Sequence, residues 1–122
     1  MKKLVIAALL LSSCAPSLQL AQRESASLAR DAQAVVFKNP GETTAQVPTV
    51  FLRGAGLKVS AVNEGVEVCR ERDRPGLWGC NLPDVPGGKL FRISVTAGAV
   101  ESGNVTFYRE ASGARPIFLP LE

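Results

Sequence analysis

Histidine is absent from this chain of 122 residues, and aromatic residues are scarce, with one tryptophan, one tyrosine and five phenylalanines. The absence of histidine removes the most common general base, the most common metal ligand and the usual charge switch near neutral pH. With so few aromatic side chains, a hydrophobic core must be mostly aliphatic. We therefore predict that the chain is not an enzyme and that it holds no metal and no cofactor.

A long apolar run is also lacking. The longest run covers residues 4–11 and follows Lys2 and Lys3. It is too short to cross a membrane, because a transmembrane helix needs about 20 apolar residues. A basic start followed by a short apolar run is typical of a signal peptide that is removed after export. The sequence therefore predicts that the mature chain leaves the cytoplasm.

The apolar run ends on Leu11, Ser12, Ser13 and Cys14, and these four residues resemble the bacterial lipobox. The resemblance implies that Cys14 takes a diacylglyceryl thioether, that residues 1–13 are cleaved off, and that the new amino group is acylated. Several acyl chains on one residue hold a protein to a membrane far more firmly than a single chain. The alternative is an ordinary signal peptide that contains a cysteine by chance.

The predicted mature chain has almost equal numbers of basic and acidic residues. Removal of Lys2 and Lys3 from the 14 basic residues leaves 12, against 11 acidic residues. The remaining basic residues are scattered or alternate with acids, as in residues 70–74. Because a nucleic-acid-binding surface needs a basic stripe, we exclude nucleic acid as a partner.

Cys69 and Cys80 are the two cysteines that remain after Cys14. In an exported chain, an even remainder of thiols predicts a disulfide, here Cys69–Cys80. A ring of about 12 residues contributes roughly 3 kcal/mol in the loop-entropy description. The alternatives are a redox pair or half of a zinc site. The spacing is not Cys-x-x-Cys, however, and no histidine can complete a zinc site.

The composition of the chain changes at about residue 33. Residues 14–33 are rich in Ala, Ser, Gln and charge, which predicts a flexible or weakly helical tether behind the lipidated cysteine. From residue 34 onward, short runs of alternating apolar and polar residues are separated by Gly, Pro and Asn. There are seven or eight such runs and hardly any helix signal. They predict an all-β domain over residues 34–122, in which an antiparallel sheet folds into two packed layers.

The strand pattern of residues 34–122 resembles that of immunoglobulin-like and fibronectin-III-like β-sandwiches. The resemblance implies a single antiparallel sandwich of the kind found as an added module in bacterial envelope proteins. It rests on the pattern alone, since the Cys-Trp-Cys spacing of antibody domains is missing and Trp78 lies two residues before Cys80. A small open barrel is the alternative fold.

Carboxylate pairs are the remaining source of catalytic chemistry in a chain without histidine. Glu64 with Glu67, and Glu71 with Asp73, are close in sequence, but both pairs lie beside turn signals. We interpret them as solvated surface groups and not as a glycosidase-like pair. The stretch at residues 54–56, Gly-Ala-Gly, connects two strand-like runs instead of opening a helix, which predicts a bend and not a phosphate-binding turn.

The ring between Cys69 and Cys80 is the candidate contact surface. It combines Arg72, Arg74 and Trp78, and Trp and Arg are the residue types that most often anchor protein interfaces. A disulfide lowers the ordering cost of binding. The alternative is that Trp78 folds inward as a core residue while the charges solvate the loop. Tyr108 and Phe118 form a second candidate patch, since both are expected to face outward.

The sequence as a whole predicts a lipid-anchored protein of the bacterial cell envelope, on its periplasmic side or cell surface. Its predicted role is that of a non-enzymatic structural or accessory subunit, with the lipid bilayer and a larger envelope protein or complex as partners. The alternative is a module that binds a small ligand or glycan. A ligand module requires a concave pocket with convergent polar groups, whereas an accessory subunit requires an exposed contact patch.

Overall fold

The computed structural model of the protein describes residues 24–122. The predicted signal peptide (residues 1–13), the predicted lipidation site Cys14 and the first part of the predicted tether (residues 15–23) lie outside the described residues. The strands are β1 (Ser27–Arg30), β2 (Ala34–Asn39), β3 (Gln46–Arg53), β4 (Lys58–Ser60), β5 (Val62–Asn63), β6 (Val66–Glu67), β7 (Cys69–Glu71), β8 (Leu77–Asn81), β9 (Lys89–Ala97), β10 (Ser102–Tyr108) and β11 (Ile117–Pro120). A single 3-10 turn, Glu110–Ser112, lies between β10 and β11.

The strands form two antiparallel sheets and one small hairpin. The first sheet has the order β1-β2-β9-β4, and the second has the order β11-β10-β3-β8-β7. Strands β5 and β6 pair with each other, and the chain turns between them through Glu64 and Gly65, both at positive φ. The pair Glu64 and Glu67 therefore lies at a turn, as the sequence signals beside it indicate.

The hydrophobic core lies between the two sheets. Val35 and Phe37 on β2, and Val105 and Phe107 on β10, are completely buried, and on β2 the intervening Val36 is buried as well. The rings of Phe37 and Phe107, one from each sheet, have their centroids 5.3 Å apart. Two antiparallel sheets that bury side chains between them form a β-sandwich. The predicted all-β class and two-layer antiparallel architecture are confirmed.

One edge of the sandwich is closed where β1 approaches the end of β11. Leu28 and Leu121 form a parallel bridge, and the Glu122 N–H donates to the Leu28 carbonyl at 2.9 Å. Backbone groups alternate sides along a strand, so residues 116, 118 and 120 face the same side as Glu122. Pro116 and Pro120 have no N–H to offer there. They leave this edge poorly suited to pairing with another chain.

The Glu67 carboxylate holds the opposite edge together. It accepts hydrogen bonds from the Ser60 hydroxyl, from the Ala61 N–H at 2.8 Å and from the Cys69 N–H at 3.1 Å. The Ser60 hydroxyl and these backbone donors lower the pKa of Glu67. This single side chain therefore links the end of β4 in the first sheet to the start of β7 in the second.

The observed strands begin earlier than the sequence predicts. Ser27–Arg30 falls within the segment predicted to be a tether, yet it pairs with β2, and Leu28 is completely buried. A strand of four residues with a single large apolar side chain carries almost no periodic signal. The count of eleven strands, against seven or eight predicted, arises because short pieces such as β1, β5 and β7 are separate elements.

Candidate functional site

Arg109, directly after β10, is the centre of a polar network. Its Nε and Nη2 donate to the two carboxylate oxygens of Glu24 at 2.9 and 2.8 Å. Nη2 also donates to Asn39 Oδ1 at 2.8 Å, and Nη1 donates to the backbone and side-chain oxygens of Thr43, both at 2.9 Å. These bonds use the five N–H groups that a guanidinium offers. We call Glu24, Asn39, Thr43 and Arg109 the N-terminal network.

The N-terminal network is shielded from solvent. The Arg109 and Glu24 side chains are 12% and 15% exposed, and Asn39 is completely buried. Burial alone would raise the pKa of Glu24, but the hydrogen bonds from Arg109 and from the Ala26 N–H outweigh it and lower the pKa. A charge pair with this degree of satisfaction has little capacity left to bind a ligand, and removal of one partner would leave the other charge shielded and unpaired.

A cleft of about 750 Å³ lies beside the N-terminal network. Its apolar lining comes from Ala111 and from Ile117, Phe118 and Leu119 of β11. The Phe118 side chain is 61% exposed, as expected for an outward residue of the second sheet, whereas Tyr108 is partly buried. The cleft is concave and offers mainly apolar surface, and two of the charged groups in its lining, Glu24 and Arg109, are paired with each other.

The ring between Cys69 and Cys80 is a β-hairpin closed by the predicted disulfide. The two cysteines lie opposite each other on β7 and β8. The turn is fixed by Gly76, which has a φ of +80° and accepts a hydrogen bond from the Gly54 N–H at 3.1 Å. A Cβ on Gly76 would lie 2.2 Å from the Gly54 carbonyl oxygen, so only glycine fits this contact. The contact surface predicted in this ring is therefore on a rigid element.

Trp78 lies on the inner side of β8 and is not the exposed anchor of the ring. It is partly buried against the core, and its indole N–H donates to the Leu57 carbonyl at 2.7 Å. The structure therefore agrees with the alternative interpretation of Trp78 as a core residue. Arg72 and Arg74, the other two predicted contact residues, are exposed.

Phe51 lies at the centre of the outer face of the second sheet. On β3, Val50 and Leu52 are buried between the sheets, so Phe51 and Arg53 face outward. Phe51 lies opposite Gly79 on β8 and opposite Asn104 on β10. No large side chain from β8 therefore covers the Phe51 ring.

Two arginines from the disulfide hairpin complete this surface. Arg70 lies opposite Gly79, and the Arg72 guanidinium carbon is 6.0 Å from the centre of the Phe51 ring. A Cβ on Gly79 would lie 3.2 Å from Arg72 Cδ and 3.3 Å from Phe51 Cε1, so glycine allows the two side chains to approach. We call this surface the arginine face, comprising Phe51, Arg53, Arg70 and Arg72.

The arginines of the arginine face, like Arg74 in the adjacent turn, have no side-chain hydrogen bond or ion pair with any residue in 24–122. Arg30, Arg92 and Arg109 behave differently, since each donates to carbonyl or carboxylate oxygens. Unpaired guanidinium groups grouped on one sheet face are available to an anionic partner.

The carboxylates near the arginine face are largely engaged with the backbone. Glu71 accepts the Gly76 N–H at 3.1 Å, and Glu101 accepts the Ala55 N–H at 2.9 Å. Glu64 lies on the β5–β6 turn, and Glu67 links the two sheets. Of the four carboxylates in the predicted pairs, those of Glu67 and Glu71 accept hydrogen bonds, while Glu64 and Asp73 lie exposed in turns.

The arginine face and the N-terminal network lie toward opposite ends of the sandwich. Arg53 pairs with Ser102 at the start of β10, whereas Arg109 follows the end of the same strand. A strand of this length spans about 20 Å. The predicted bend at Gly54 lies at the same end as Arg53. A Cβ on Gly54 would collide with the Ala99 carbonyl oxygen, so close backbone contact requires glycine at this position.

Comparison of the chain with protein-family models, curated proteins and solved structures gives no match. Within the described range, no group of three His, Cys, Asp or Glu residues is placed to hold a metal ion. No helix in that same part of the chain is long and apolar enough to cross a membrane.

Proposed function

We propose that this protein is a lipid-anchored, immunoglobulin-like module of the bacterial cell envelope that acts through protein contacts as an accessory subunit. The observation that carries the proposal is the difference between the two ends of the sandwich. At one end, the N-terminal network bonds Arg109 to Glu24, Asn39 and Thr43, whereas the opposite end exposes unpaired arginines around Phe51.

The strand order supports the immunoglobulin-like part of this proposal. Seven strands, taken in chain order as A to G, give the two sheets A-B-E-D and G-F-C of that fold: β1, β2, β3, β4, β9, β10 and β11. The disulfide hairpin β7–β8 is an addition between the fourth and fifth of these strands, and it pairs onto β3. Two residues of the arginine face come from this added hairpin.

The position of Glu24 supports the lipid-anchored part. Arg109 holds Glu24 at one end of the sandwich, ten positions after Cys14 in the sequence. A segment of that length spans at most about 35 Å. A lipid on Cys14 would therefore keep the N-terminal end near the membrane, and the arginine face could point toward other envelope proteins.

Purification from native membranes in mild detergent tests the proposal, with a Cys14→Ser chain prepared in parallel. We expect mass spectrometry to show a chain that starts at Cys14 with added acyl mass and an envelope protein in stoichiometric amount. The Cys14→Ser chain should lack the acyl mass and leave the membrane fraction. An unmodified Cys14 in the native chain would contradict the anchor, and a lipidated chain without a copurifying protein would contradict the accessory role.

The cleft beside the N-terminal network favours a second function, the binding of a small apolar ligand. Its volume of about 750 Å³ falls in the range of ligand pockets. Native mass spectrometry of the purified protein should then show a bound molecule, and Phe118→Asp should remove it. Absence of any bound molecule in the native preparation would leave the accessory function as the better account.

A further inference from the structure

We infer that the arginine face is the docking site for an acidic segment of a partner protein, an assignment that rests on the proposed accessory function. The partner segment is expected to carry carboxylates, because Arg53, Arg70 and Arg72 face outward and form no ion pair with any residue in 24–122. A guanidinium binds a carboxylate through two parallel hydrogen bonds, and these are stronger than neutral hydrogen bonds.

The spacing of the arginines matches a short peptide segment. Arg53 and Arg72 lie on either side of Leu77, so their backbones are two strand spacings apart, which is about 10 Å. Arg70 and Arg72 are two residues apart along one face, about 7 Å. Alternate side chains of an extended segment are separated by a similar distance, so successive carboxylates could reach different arginines.

The arginine face contains a shallow depression. It has a volume of about 250 Å³ and is lined by side chains and backbone of β3, β8 and β10, including Phe51, Arg53, Leu77 and Asn104. Aromatic residues and arginine are both enriched at protein interfaces. An aromatic floor also holds an arginine in place, as Arg72 lies over Phe51.

The composition favours a protein partner over lipid headgroups. Surfaces that bind membranes directly combine basic residues with protruding apolar side chains. The outward residues around Phe51 include the polar Thr49, Thr106 and Asn81, and the nearby apolar residue Leu77 is half-buried and does not protrude. The arginine face also lies toward the end of the sandwich opposite Glu24, about 20 Å away along β10.

The test uses the full chain purified from membranes and a short labelled peptide of alternating glutamate and threonine. Binding is followed by fluorescence anisotropy, and NMR of the backbone amides maps its position. We expect binding that weakens as salt is added, with amide shifts at Gly79 and its neighbours. The triple variant Arg53→Gln, Arg70→Gln, Arg72→Gln should weaken binding by about tenfold or more.

A matched triple variant controls for net charge. Lys38→Gln, Lys58→Gln and Lys89→Gln remove the same charge from exposed positions of the other sheet. This variant should bind the peptide like the native chain. Equal weakening in both triple variants would overturn the inference, because the binding would then follow net charge and not this site.

Vesicles that contain anionic phosphatidylglycerol provide the competing probe. Binding of the arginine face to these vesicles, with no binding to the acidic peptide, would overturn the assignment in favour of a membrane surface. The single variant Arg53→Glu replaces the triple variant if circular dichroism shows that the triple does not fold. The mass of the N-terminal peptide from the same preparation reports lipidation separately, so failure of the docking site and failure of the anchor are distinguishable.

Discussion

Arg109 and Arg72 lie toward opposite ends of one sheet and use the same chemistry in opposite ways. The Arg109 guanidinium donates to Glu24, Asn39 and Thr43 and is shielded from solvent. The Arg72 guanidinium lies over Phe51, remains exposed and has no hydrogen-bonded partner in residues 24–122. Both arginines lie over a phenylalanine ring, since Arg109 is 5.2 Å from the centre of Phe107.

The comparison shows that the surroundings of an arginine decide whether it is bonded within the fold or is available to bind a partner. A guanidinium whose N–H groups are all bonded stabilises the fold, and its removal leaves buried partners unsatisfied. A guanidinium that is stacked but unbonded contributes little to the fold, and it can bind an incoming carboxylate at a small ordering cost. The N-terminal network therefore holds the domain together, and the arginine face is the better candidate for contacts.

Replacement of Arg109 should have the largest effect on stability. Arg109→Met leaves the Glu24 carboxylate and the buried Asn39 without their partner, which we expect to lower the free energy of unfolding by about 3 kcal/mol. Arg72→Met should change it by less than about 0.5 kcal/mol. Denaturant unfolding of both variants measures the difference. Equal effects would remove the distinction between the two ends.

Loss of the disulfide should destabilise the arginine end by a similar or smaller amount. The double variant Cys69→Ala, Cys80→Ala should lower the free energy of unfolding by up to about 3 kcal/mol. Hydrogen exchange should accelerate in β7 and β8 before it does so near Asn39. A reducing agent should destabilise the native chain but not the double variant, and sensitivity of the double variant would show a different origin.

Acid should weaken the fold through two different carboxylates. The pKa values of Glu24 and Glu67 are lowered in the folded protein from the ordinary value of 4.5, so both groups stabilise the fold above that pH. This stabilisation is lost as the pH falls through the lowered pKa values. Glu24→Gln should therefore be less stable at neutral pH, with a flatter pH profile below about 4.5.

Glu67→Gln should show a smaller change of the same sign, because Glu67 is exposed and accepts hydrogen bonds from neutral donors, whereas Glu24 is shielded and paired with Arg109. The free energy of unfolding measured across the acid range separates the two variants. An unchanged acid slope in Glu24→Gln would contradict the role of the N-terminal network in acid stability.

A change at Val47 should have the smallest effect, and it should stabilise. Val47 has a φ of +49°, which a β-branched residue rarely adopts, and its N–H donates to Asp84 at 2.8 Å. Asparagine tolerates this conformation, so Val47→Asn should gain about 1 kcal/mol. Val66→Asn is the matched control, since Val66 is 64% exposed against 61% for Val47. A gain in both variants would point to lost surface hydrophobicity and not to relieved strain.

The fold could be predicted further from the sequence than the candidate site could. The alternation of apolar and polar residues from residue 34 onward correctly predicts the all-β class, and the cysteine count correctly predicts the disulfide. The strand that contains the buried Leu28 was not predicted, because four residues carry too little periodicity to distinguish a strand from a tether. Trp78 could be assigned to either side from the sequence, and its hydrogen bond to the Leu57 carbonyl decides its position.

The pairing of Arg109 with Glu24 joins residues 85 positions apart, and no local pattern marks it. Arg53 and Arg72 likewise meet on one face only because β3 and β7 both pair with β8. The amino-acid sequence by itself determined the all-β class, the inward face of the main strands and the disulfide, because periodicity and thiol count are local or compositional properties. Only the tertiary structure decided which arginines are paired and which remain exposed, because that depends on strands brought together from distant parts of the chain.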